Sequence, residues 1–213
     1  TSLLLEKCES LTAIEIDKDL IRFLKKAYGD RKNFNLIEKD ILLYDPKELV
    51  RVNKLIGNIP YNISTPIIEW IIDNKSSFDE IFLMLQKEFG ERCVAQPNTK
   101  SYGRLSIFVQ CFFDVTVIRE VDKSSFDPSP KVQSIFLKLI PKVSDMTPNS
   151  ILMKNLSSLT REAFSKRRKL ITNSLKSFFT EEDLVNLGIE RKSRPENLSV
   201  ETYIKLAKSI QSG

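Results

Sequence analysis

Histidine is absent from this chain of 213 residues. Its absence excludes Ser-His hydrolase chemistry, histidine general bases and histidine metal sites. Any reaction that this protein catalyses must therefore proceed without an imidazole group.

Cysteine is scarce, and long apolar runs are missing. The three cysteines, Cys8, Cys93 and Cys111, are widely spaced and show no metal-type pairing. We expect reduced thiols in an intracellular, cytoplasmic protein that binds no metal, although the sequence also leaves room for one disulfide. No apolar run approaches the length of a membrane span and no signal peptide is visible, so we expect no membrane partner.

The overall composition is that of an ordinary globular protein, with 41% hydrophobic and 29% charged residues. The length of the chain suits one substantial core or two small domains. The net charge of +5 and the pI near 9.0 are compatible with a nucleic-acid partner but do not by themselves identify one.

Strand and helix patterns alternate along the first two thirds of the chain, which is typical of a parallel α/β sheet. Strands are predicted at residues 11–17, 34–38, 55–56, 81–85, 115–121 and 132–139. Helices are predicted at residues 2–8, 18–24, 46–50, 66–72 and 87–95. Residues 105–113 fit either a helix or a strand. Ser64 or Thr65 is predicted to cap the fourth helix, with Pro66 at its first position. Residues 145–148 look like a linker, and only helical patterns follow. We therefore expect a larger α/β domain and a small all-helical domain after it.

The stretch at residues 53–64 organises the rest of the chain. Leu55 and Ile56 predict a buried strand that stops at Asn58, because Pro60 cannot donate to a sheet and favours an extended conformation at Ile59. In open α/β sheets, ligands bind at the carboxyl ends of the strands. Asn58 is therefore predicted to face a ligand site, although the spacing alone also fits an ordinary strand-turn-helix corner.

An amide, a carbonyl before proline and an aromatic ring occur within four residues of this corner. The amide oxygen of Asn58 and the carbonyl oxygen of Ile59 can accept both hydrogens of an amino group, while Tyr61 stacks on the ring that carries it. This combination indicates a site for a flat heterocycle with an exocyclic amine.

Two carboxylates stand at the ends of earlier strands: Glu15 ends one, and Asp40 follows the next. One carboxylate can accept hydrogen bonds from both hydroxyls of a ribose, and the other from an adenine amino group. Each residue alone is better explained as a helix cap or a solvated strand end. Together with Asn58, they predict one continuous ligand crevice.

The tetrapeptide Asn58-Ile59-Pro60-Tyr61 resembles the Asn/Asp/Ser-x-Pro-aromatic motif of amino-directed adenine methyltransferases. The octet that it opens, Asn-Ile-Pro-Tyr-Asn-Ile-Ser-Thr, is similar to that of the rRNA adenine dimethyltransferases. The resemblance implies catalytic roles for these four residues and a Rossmann-like domain that uses S-adenosylmethionine as its cofactor.

The same resemblance implies how the cofactor is held. Glu15 would bind its ribose and Asp40 its adenine, with Ile16, Ile41 and Asn58 as further cofactor contacts. The family also has a glycine-rich loop immediately before the position at which this sequence starts, and the six glycines of the chain contain no G-x-G. We therefore expect the sequence to begin inside the family's fold, after its first strand and glycine loop.

Further strings follow the dimethyltransferase pattern. They are Gln86-Lys87-Glu88, Ala95-x-Pro97-x-x-Lys100-x-Tyr102-Gly103-Arg104-Leu105-Ser106 and Phe126-x-Pro128-x-Pro130-x-Val132-x-Ser134. By analogy, Phe126 would cover a flipped-out adenine on the face opposite Tyr61, and Arg104 would contact RNA. The alternatives are that Phe126 is a turn aromatic that fills the core and that Arg104 belongs to a structural ion pair.

The tail of the chain resembles one branch of the family. The strings at residues 162–175 and 194–200 are similar to those of the small-subunit enzymes of the KsgA type, whereas the erythromycin-resistance methyltransferases share the octet but lack them. The tail also carries a basic run that suits phosphate contacts to RNA, although such a run is usually a solvated face: Lys166, Arg167, Arg168 and Lys169.

The resemblance covers essentially the whole chain and implies a methyltransferase domain at residues 1–142 and a helical domain at residues 143–213. It implies a monomeric enzyme of ribosome biogenesis that dimethylates the exocyclic amines of two adjacent adenosines, in a 3′-terminal hairpin loop of small-subunit (16S) rRNA. Two alternatives remain open: a large-subunit dimethyltransferase of the erythromycin-resistance type, and a non-enzymatic RNA-binding assembly factor or transcription-factor relative on the same fold.

Overall fold

The computed structural model describes residues 1–48, 53–127, 131–143, 147 and 150–210. The chain divides into two compact units, Thr1–Leu49 and Val50–Gly213. This division reflects packing alone, so the functional boundary near residue 142 stays a prediction.

The first unit contains two parallel strands with a helix between them. Strand β1 pairs with β2 in a register that places Leu11 opposite Phe34 and Glu15 opposite Glu38. Helix α2 begins as predicted at the Asp17 cap, whose carboxylate accepts from the backbone N–H groups of Asp19 and Leu20 at 2.8 and 3.1 Å. The elements are α1 Ser2–Leu5, β1 Leu11–Glu15, α2 Lys18–Tyr28, β2 Phe34–Glu38 and two 3₁₀ turns, Ile41–Leu43 and Pro46–Glu48. The last turn covers the part of the predicted helix at residues 46–50 that the structure describes.

The second unit contains a four-stranded sheet in the order β3-β4-β6-β5. The strands are β3 Lys54–Asn58, β4 Glu80–Gln86, β5 Phe113–Val121 and β6 Ser134–Pro141. Strands β3 and β4 are parallel, but β6 runs antiparallel to both β4 and β5. The predicted parallel sheet is therefore wrong for the last two strands. Parallel neighbours need a long crossover connection, and only one 3₁₀ turn is described between β5 and β6.

Seven α-helices are described in the second unit, of which the first two lie close to the predicted positions at residues 66–72 and 87–95. They are α3 Ser64–Asp73, α4 Lys87–Val94, α5 Arg104–Phe112, α6 Ile151–Ser165, α7 Ile171–Ser174, α8 Glu181–Asn186 and α9 Val200–Ser209. The ambiguous stretch at residues 105–113 is helical through Phe112, and β5 starts at the next residue. The predicted cap of α3 is wrong. Ile63 occupies that position, and its apolar side chain cannot form a cap. Ser64 is already the first residue of the helix, and its hydroxyl donates to the carbonyl of Tyr61.

The core of the second unit lies on the two central strands. Leu83 and Leu85 of β4 and Leu137 and Leu139 of β6 are fully buried, and each such side chain stabilises the fold by roughly 1.5–3 kcal/mol. Ile56 of β3 was predicted to be buried but is 49% exposed. Strand β3 is an edge strand of the described sheet, so its side chains have neighbours on one side only.

Helix α4 packs closely against β6 because Gly90 has no side chain. A Cβ atom at this position would overlap the Cγ2 atom of Ile135 and would lie 3.5 Å from Cδ1 of Leu137. This close approach fixes α4 and the chain that follows it on the sheet.

The helical tail is bound to the segment before α5 by aromatic side chains. The Tyr102 hydroxyl donates to the carbonyl of Leu198 at 2.9 Å, and the Tyr203 hydroxyl donates to that of Pro195 at 2.8 Å. The ring of Phe164 lies 6.3 Å from that of Tyr102 and 5.9 Å from that of Tyr203, measured between centroids. The described residues 150–210 contain no strand, as predicted.

The cysteines are free thiols, as predicted. Burial raises the pKa of both Cys93 and Cys111 to about 12, so neither is ionised near neutral pH. Within the part of the chain that the structure describes, no helix is long and apolar enough to cross a membrane, and no group of side chains has the composition of a metal site.

Candidate active site

The predicted turn after β3 is present, and it remains bound to the sheet beyond the strand. Asn58 ends β3 opposite Met84, and the backbone N–H of Ile59 donates to the Met84 carbonyl at 3.1 Å. Pro60 then directs the chain into the 3₁₀ turn Tyr61–Ile63. The motif is thus anchored on β4 at the carboxyl end of β3.

Two acceptors of this turn have no protein partner among the described residues. Neither the side-chain amide of Asn58 nor the carbonyl oxygen of Ile59 takes part in a hydrogen bond there. Asn58 is also solvent-exposed, whereas the side chain of Ile59 is buried. Both oxygens are therefore available to accept hydrogens from a ligand amine.

Tyr61 is held by hydrogen bonds at its side-chain hydroxyl and at its main-chain carbonyl. Its hydroxyl lies 3.0 Å from Oγ of Ser134 on β6, and its carbonyl accepts from the Ser64 hydroxyl at 3.1 Å. Its exposed fraction is 36%. The ring is thus fixed in orientation while part of it stays open to solvent.

Phe126 follows a 3₁₀ turn, Lys123–Ser125, that the carboxylate of Asp122 caps. It is partly buried, and its ring does not contact that of Tyr61. The predicted rigid turn continues into residues 128–130, which lie outside the described residues. An aromatic clamp made by Phe126 and Tyr61 stays a prediction.

The two predicted cofactor carboxylates lie at the same edge of the first unit's sheet, because β1 and β2 are parallel and in register. Oε1 of Glu15 accepts from the backbone N–H groups of Ile16 and Asp17 at 2.8 and 2.9 Å. Oδ1 of Asp40 accepts from the N–H of Leu42 at 3.0 Å. The second oxygen of each carboxylate has no partner in residues 1–48, which fits both a structural cap and a ligand acceptor.

The two predicted hydrophobic cofactor contacts flank these carboxylates. Ile16 is 64% exposed, and Ile41 opens the turn that Asp40 caps. Both belong to the first unit, as do the carboxylates, whereas Asn58 belongs to the second. A single crevice formed by all of these residues therefore stays a prediction.

The four basic residues of the tail differ in their contacts, which the sequence did not indicate. Lys166 pairs with Glu162 one helical turn away, at 2.9 Å. Arg167 pairs with Glu196 at 2.6 Å and also donates to the carbonyl of Thr99 at 3.2 Å. The remaining two, Arg168 and Lys169, are exposed, and their side chains have no ion-pair partner in the described ranges.

Arg104 opens helix α5, and its guanidinium lies 5.9 Å from the centre of the Phe108 ring. Partial burial, reinforced by the nearby Arg161 guanidinium, lowers the pKa of Arg104. Because two like charges lie near each other without an ion-pair partner among the described residues, an anion is favoured at this position. The geometry is compatible with the predicted phosphate contact and does not include the alternative structural ion pair.

Comparison with known proteins identifies close similarity over the whole chain. A family model described as ribosomal RNA adenine dimethylase matches residues 1–212. The chain is 39% identical over 213 residues to ribosomal RNA small subunit methyltransferase A of Legionella pneumophila (strain Corby), covering 100% of this chain and 82% of that protein. The protein of that name from Buchnera aphidicola is 40% identical over 212 residues, covering 95% of this chain and 75% of the relative.

Solved structures show the same fold. A dimethyladenosine transferase from Plasmodium falciparum superposes with a TM-score of 0.78 at 29% identity, covering 96% of this chain and 82% of that one. The 23S rRNA methyltransferase ErmE superposes with a TM-score of 0.73 at 21% identity, covering 98% of this chain and 85% of that one. At 21% identity, the similarity to ErmE shows a shared fold and nothing further. The predicted Rossmann-like fold with a helical C-terminal part is confirmed.

Proposed function

Because this chain belongs to the ribosomal RNA adenine dimethylase family, we propose that it dimethylates the exocyclic amines of two adjacent adenosines in a 3′-terminal hairpin loop of small-subunit rRNA. The observation that carries the proposal is the turn after β3. It presents two acceptor oxygens, from Asn58 and Ile59, that have no partner among the described residues, beside the anchored ring of Tyr61. Such a set of groups recognises a flat base that bears an amino group.

The residues of the turn act by positioning the amine. The lone pair of an adenine amine is delocalised into the ring, so the amine is a poor nucleophile. Hydrogen bonds to Asn58 and to the Ile59 carbonyl favour a pyramidal nitrogen whose lone pair is directed out of the ring plane. No side chain needs to remove a proton beforehand, since the surplus proton leaves to water after methylation. Catalysis therefore consists chiefly of orientation and electrostatic stabilisation.

The first unit carries the groups that fit the nucleoside part of the cofactor. Glu15 would accept from the ribose hydroxyls and Asp40 from the adenine amino group, since each carboxylate keeps one oxygen without a partner in residues 1–48. Ile16 and Ile41 would supply apolar contacts beside them. S-adenosylmethionine supplies a methyl group on a positively charged sulfur.

The second unit carries the groups proposed to bind RNA. Tyr61 and Phe126 would cover the two faces of the target adenine. Arg104 and, within the basic run at residues 166–169, chiefly Arg168 and Lys169 would contact phosphates, which position the RNA without reading its sequence. We further propose that the protein acts as a cytoplasmic monomer on a precursor of the small ribosomal subunit.

The relatives argue against the large-subunit alternative. The curated relatives at 39–40% identity are small-subunit methyltransferases, whereas the 23S enzyme is 21% identical. The non-enzymatic alternative is disfavoured by the presence of Glu15, Asp40 and Asn58 together, since a pure binding module does not need a set of cofactor contacts.

Methylation of unmodified ribosomal particles tests the proposal. The protein is incubated with S-adenosylmethionine and with small or large subunits that lack adenine methylation, and the rRNA fragments are analysed by mass spectrometry. We expect up to four added methyl groups on two adjacent adenosines of the small-subunit rRNA. Modification of the large subunit instead would support the first alternative. Tight RNA binding without any modification, by a protein that carries the family's glycine-rich loop, would support the second, since a chain without that loop is expected to bind the cofactor weakly.

A further inference from the structure

Ser134 occupies an unusual position for a hydroxyl group. It is the first residue of β6 and is only 1% exposed. Its backbone is paired on both sides, with Gln86 of β4 and with Val121 of β5. The main chain at this position is therefore fixed by the sheet. The side-chain hydroxyl lies 3.0 Å from that of Tyr61.

The hydroxyl of Ser134 bonds to a side chain, whereas the hydroxyls of the other buried polar residues bond to the backbone. Each of the other four donates to a backbone carbonyl: Ser64 to Tyr61, Ser106 to Arg92, Thr160 to Leu156 and Ser174 to Leu170. For Ser134, the only partner among the described residues is the Tyr61 hydroxyl. A buried hydroxyl without a partner is costly, so the position of this serine is explained by the tyrosine that it binds.

The contacts of Tyr61 leave its ring little freedom. Its main chain is held by the Ser64 hydroxyl and, two residues earlier, by the hydrogen bond from Ile59 to Met84. Rotation about the two side-chain torsions of Tyr61 would still change the ring plane if the Tyr61 hydroxyl made no hydrogen bond. The hydrogen bond to Ser134 fixes the hydroxyl end of the ring to β6, which is a central strand of the sheet.

We propose that Ser134 is a positioning residue that sets the ring plane of Tyr61 for stacking on the target adenine. This inference rests on the proposed function. The tyrosine then contributes the face of its ring, because its hydroxyl is engaged by Ser134 and is not directed to the substrate. The reacting atoms must be held closely for the reaction to be fast, so loosening the ring slows methyl transfer more than it weakens RNA binding.

A double-mutant cycle tests the pair. Ser134→Ala and Tyr61→Phe each remove one hydroxyl and retain the packing atoms. We expect each variant to lower the single-turnover rate of methyl transfer about tenfold, the effect of one neutral hydrogen bond, with the KM for the ribosomal particle nearly unchanged. The double variant should be no slower than either single variant, since all three lack the same bond.

A matched control separates positioning from folding. Ser174 is as buried as Ser134, but among the described residues its hydroxyl bonds only to the carbonyl of Leu170, at the start of its own helix. Ser174→Ala should leave the rate of methyl transfer unchanged even if it lowers the thermal midpoint. Rates that multiply in the double variant, or a Ser134→Ala enzyme as fast as the wild type, would overturn the proposal.

A spectroscopic measurement tests the bond independently of activity. Tyrosine labelled with ¹³C at Cζ gives one resonance for each of the five tyrosines of the chain, and Tyr61→Phe assigns the one of interest. Ser134→Ala should shift that resonance and leave those of Tyr102 and Tyr203 in place. An unmoved Tyr61 resonance would disprove the contact itself, whereas a shifted resonance in a protein without methyltransferase activity would count against the proposed function only.

Discussion

At the scale of single residues, the amide of Asn58 is the group on which the proposed chemistry depends most directly. It is exposed and makes no hydrogen bond to the described residues, so its removal costs the fold little. Asn58→Ala should therefore preserve stability and RNA affinity while slowing methyl transfer roughly a hundredfold, or about 3 kcal/mol, as expected for an interaction made mainly in the transition state. Single-turnover rates measure the effect, and an alanine variant as fast as the wild type would remove Asn58 from the mechanism.

Aspartate at the same position provides a sharper comparison. Asn58→Asp keeps an acceptor oxygen, so it should retain more activity than Asn58→Ala if acceptance of a hydrogen bond is the role of the amide. Its negative charge would change the electrostatics of a turn that is proposed to bind both the cofactor and the target amine, so we expect it to remain slower than the wild type. The reverse order of the two variants would contradict the acceptor role.

The sequence predicts some of these residues and not others, for a physical reason. Asn58 can be placed at the end of its strand because Pro60, two residues away, ends the strand locally. Ser134 cannot be assigned a role in the same way, because its partner is 73 residues away in the chain and the contact depends on the strand order. Arg167 shows the same limit: the basic run is evident from the sequence, but its contact with Glu196 is not.

At the scale of secondary-structure elements, the strands are predicted well but their arrangement is not. Hydrophobic patterns identify β4 and β5 to within two residues. The position of β6 between them depends on long-range pairing that no local pattern encodes. The exposure of Ile56 has the same origin, since it depends on β3 being an edge strand of the described sheet.

An ion-pair cluster joins three of these strands. Glu80 of β4 pairs with Lys54 of β3, Nζ to Oε2 at 3.0 Å, and also with Lys138 of β6. Hydrogen bonds from Lys138 and then Lys54 lower the pKa of Glu80 below its ordinary value of 4.5. A carboxylate whose pKa is lowered by folding stabilises the protein above its unfolded pKa, and this stabilisation is lost as the pH falls through the folded value.

The cluster predicts a change in acid stability for one variant. Glu80→Gln should lower the free energy of unfolding near pH 7, and its difference from the wild type should diminish as the pH falls below 4.5. The side chains are partly exposed, so the effect should be modest and should weaken with added salt. Urea denaturation at several pH values measures it, with the exposed Glu69→Gln as the control. A difference that is constant with pH would contradict the ion-pair interpretation.

At the scale of the whole molecule, the sequence predicts a helical tail but not how it is attached. The composition after Pro141 suggests a separate body, whereas Leu198 and Phe164 of the tail contact Tyr102 in the segment before α5. Arg167 adds to this attachment, because it binds Glu196 within the tail and the carbonyl of Thr99 outside it. The four basic residues of the tail that are predicted to bind RNA therefore differ in their contacts, and some of them have a structural role.

This difference separates RNA binding from stability in the tail. Arg168 and Lys169 are exposed without ion-pair partners among the described residues, so the double variant Arg168→Ala, Lys169→Ala should weaken binding to small-subunit particles and lower the slope of log affinity against log salt by about 2. Its stability should stay near that of the wild type.

Arg167→Ala should instead lower the thermal midpoint, because it leaves the carboxylate of Glu196 and the carbonyl of Thr99 without this donor. It should change the slope of log affinity against log salt by less than 1. Binding isotherms at several salt concentrations and thermal denaturation of both variants provide the comparison. If Arg167→Ala alone flattened the salt dependence at unchanged stability, Arg167 would be a phosphate contact and its ion pair would be incidental.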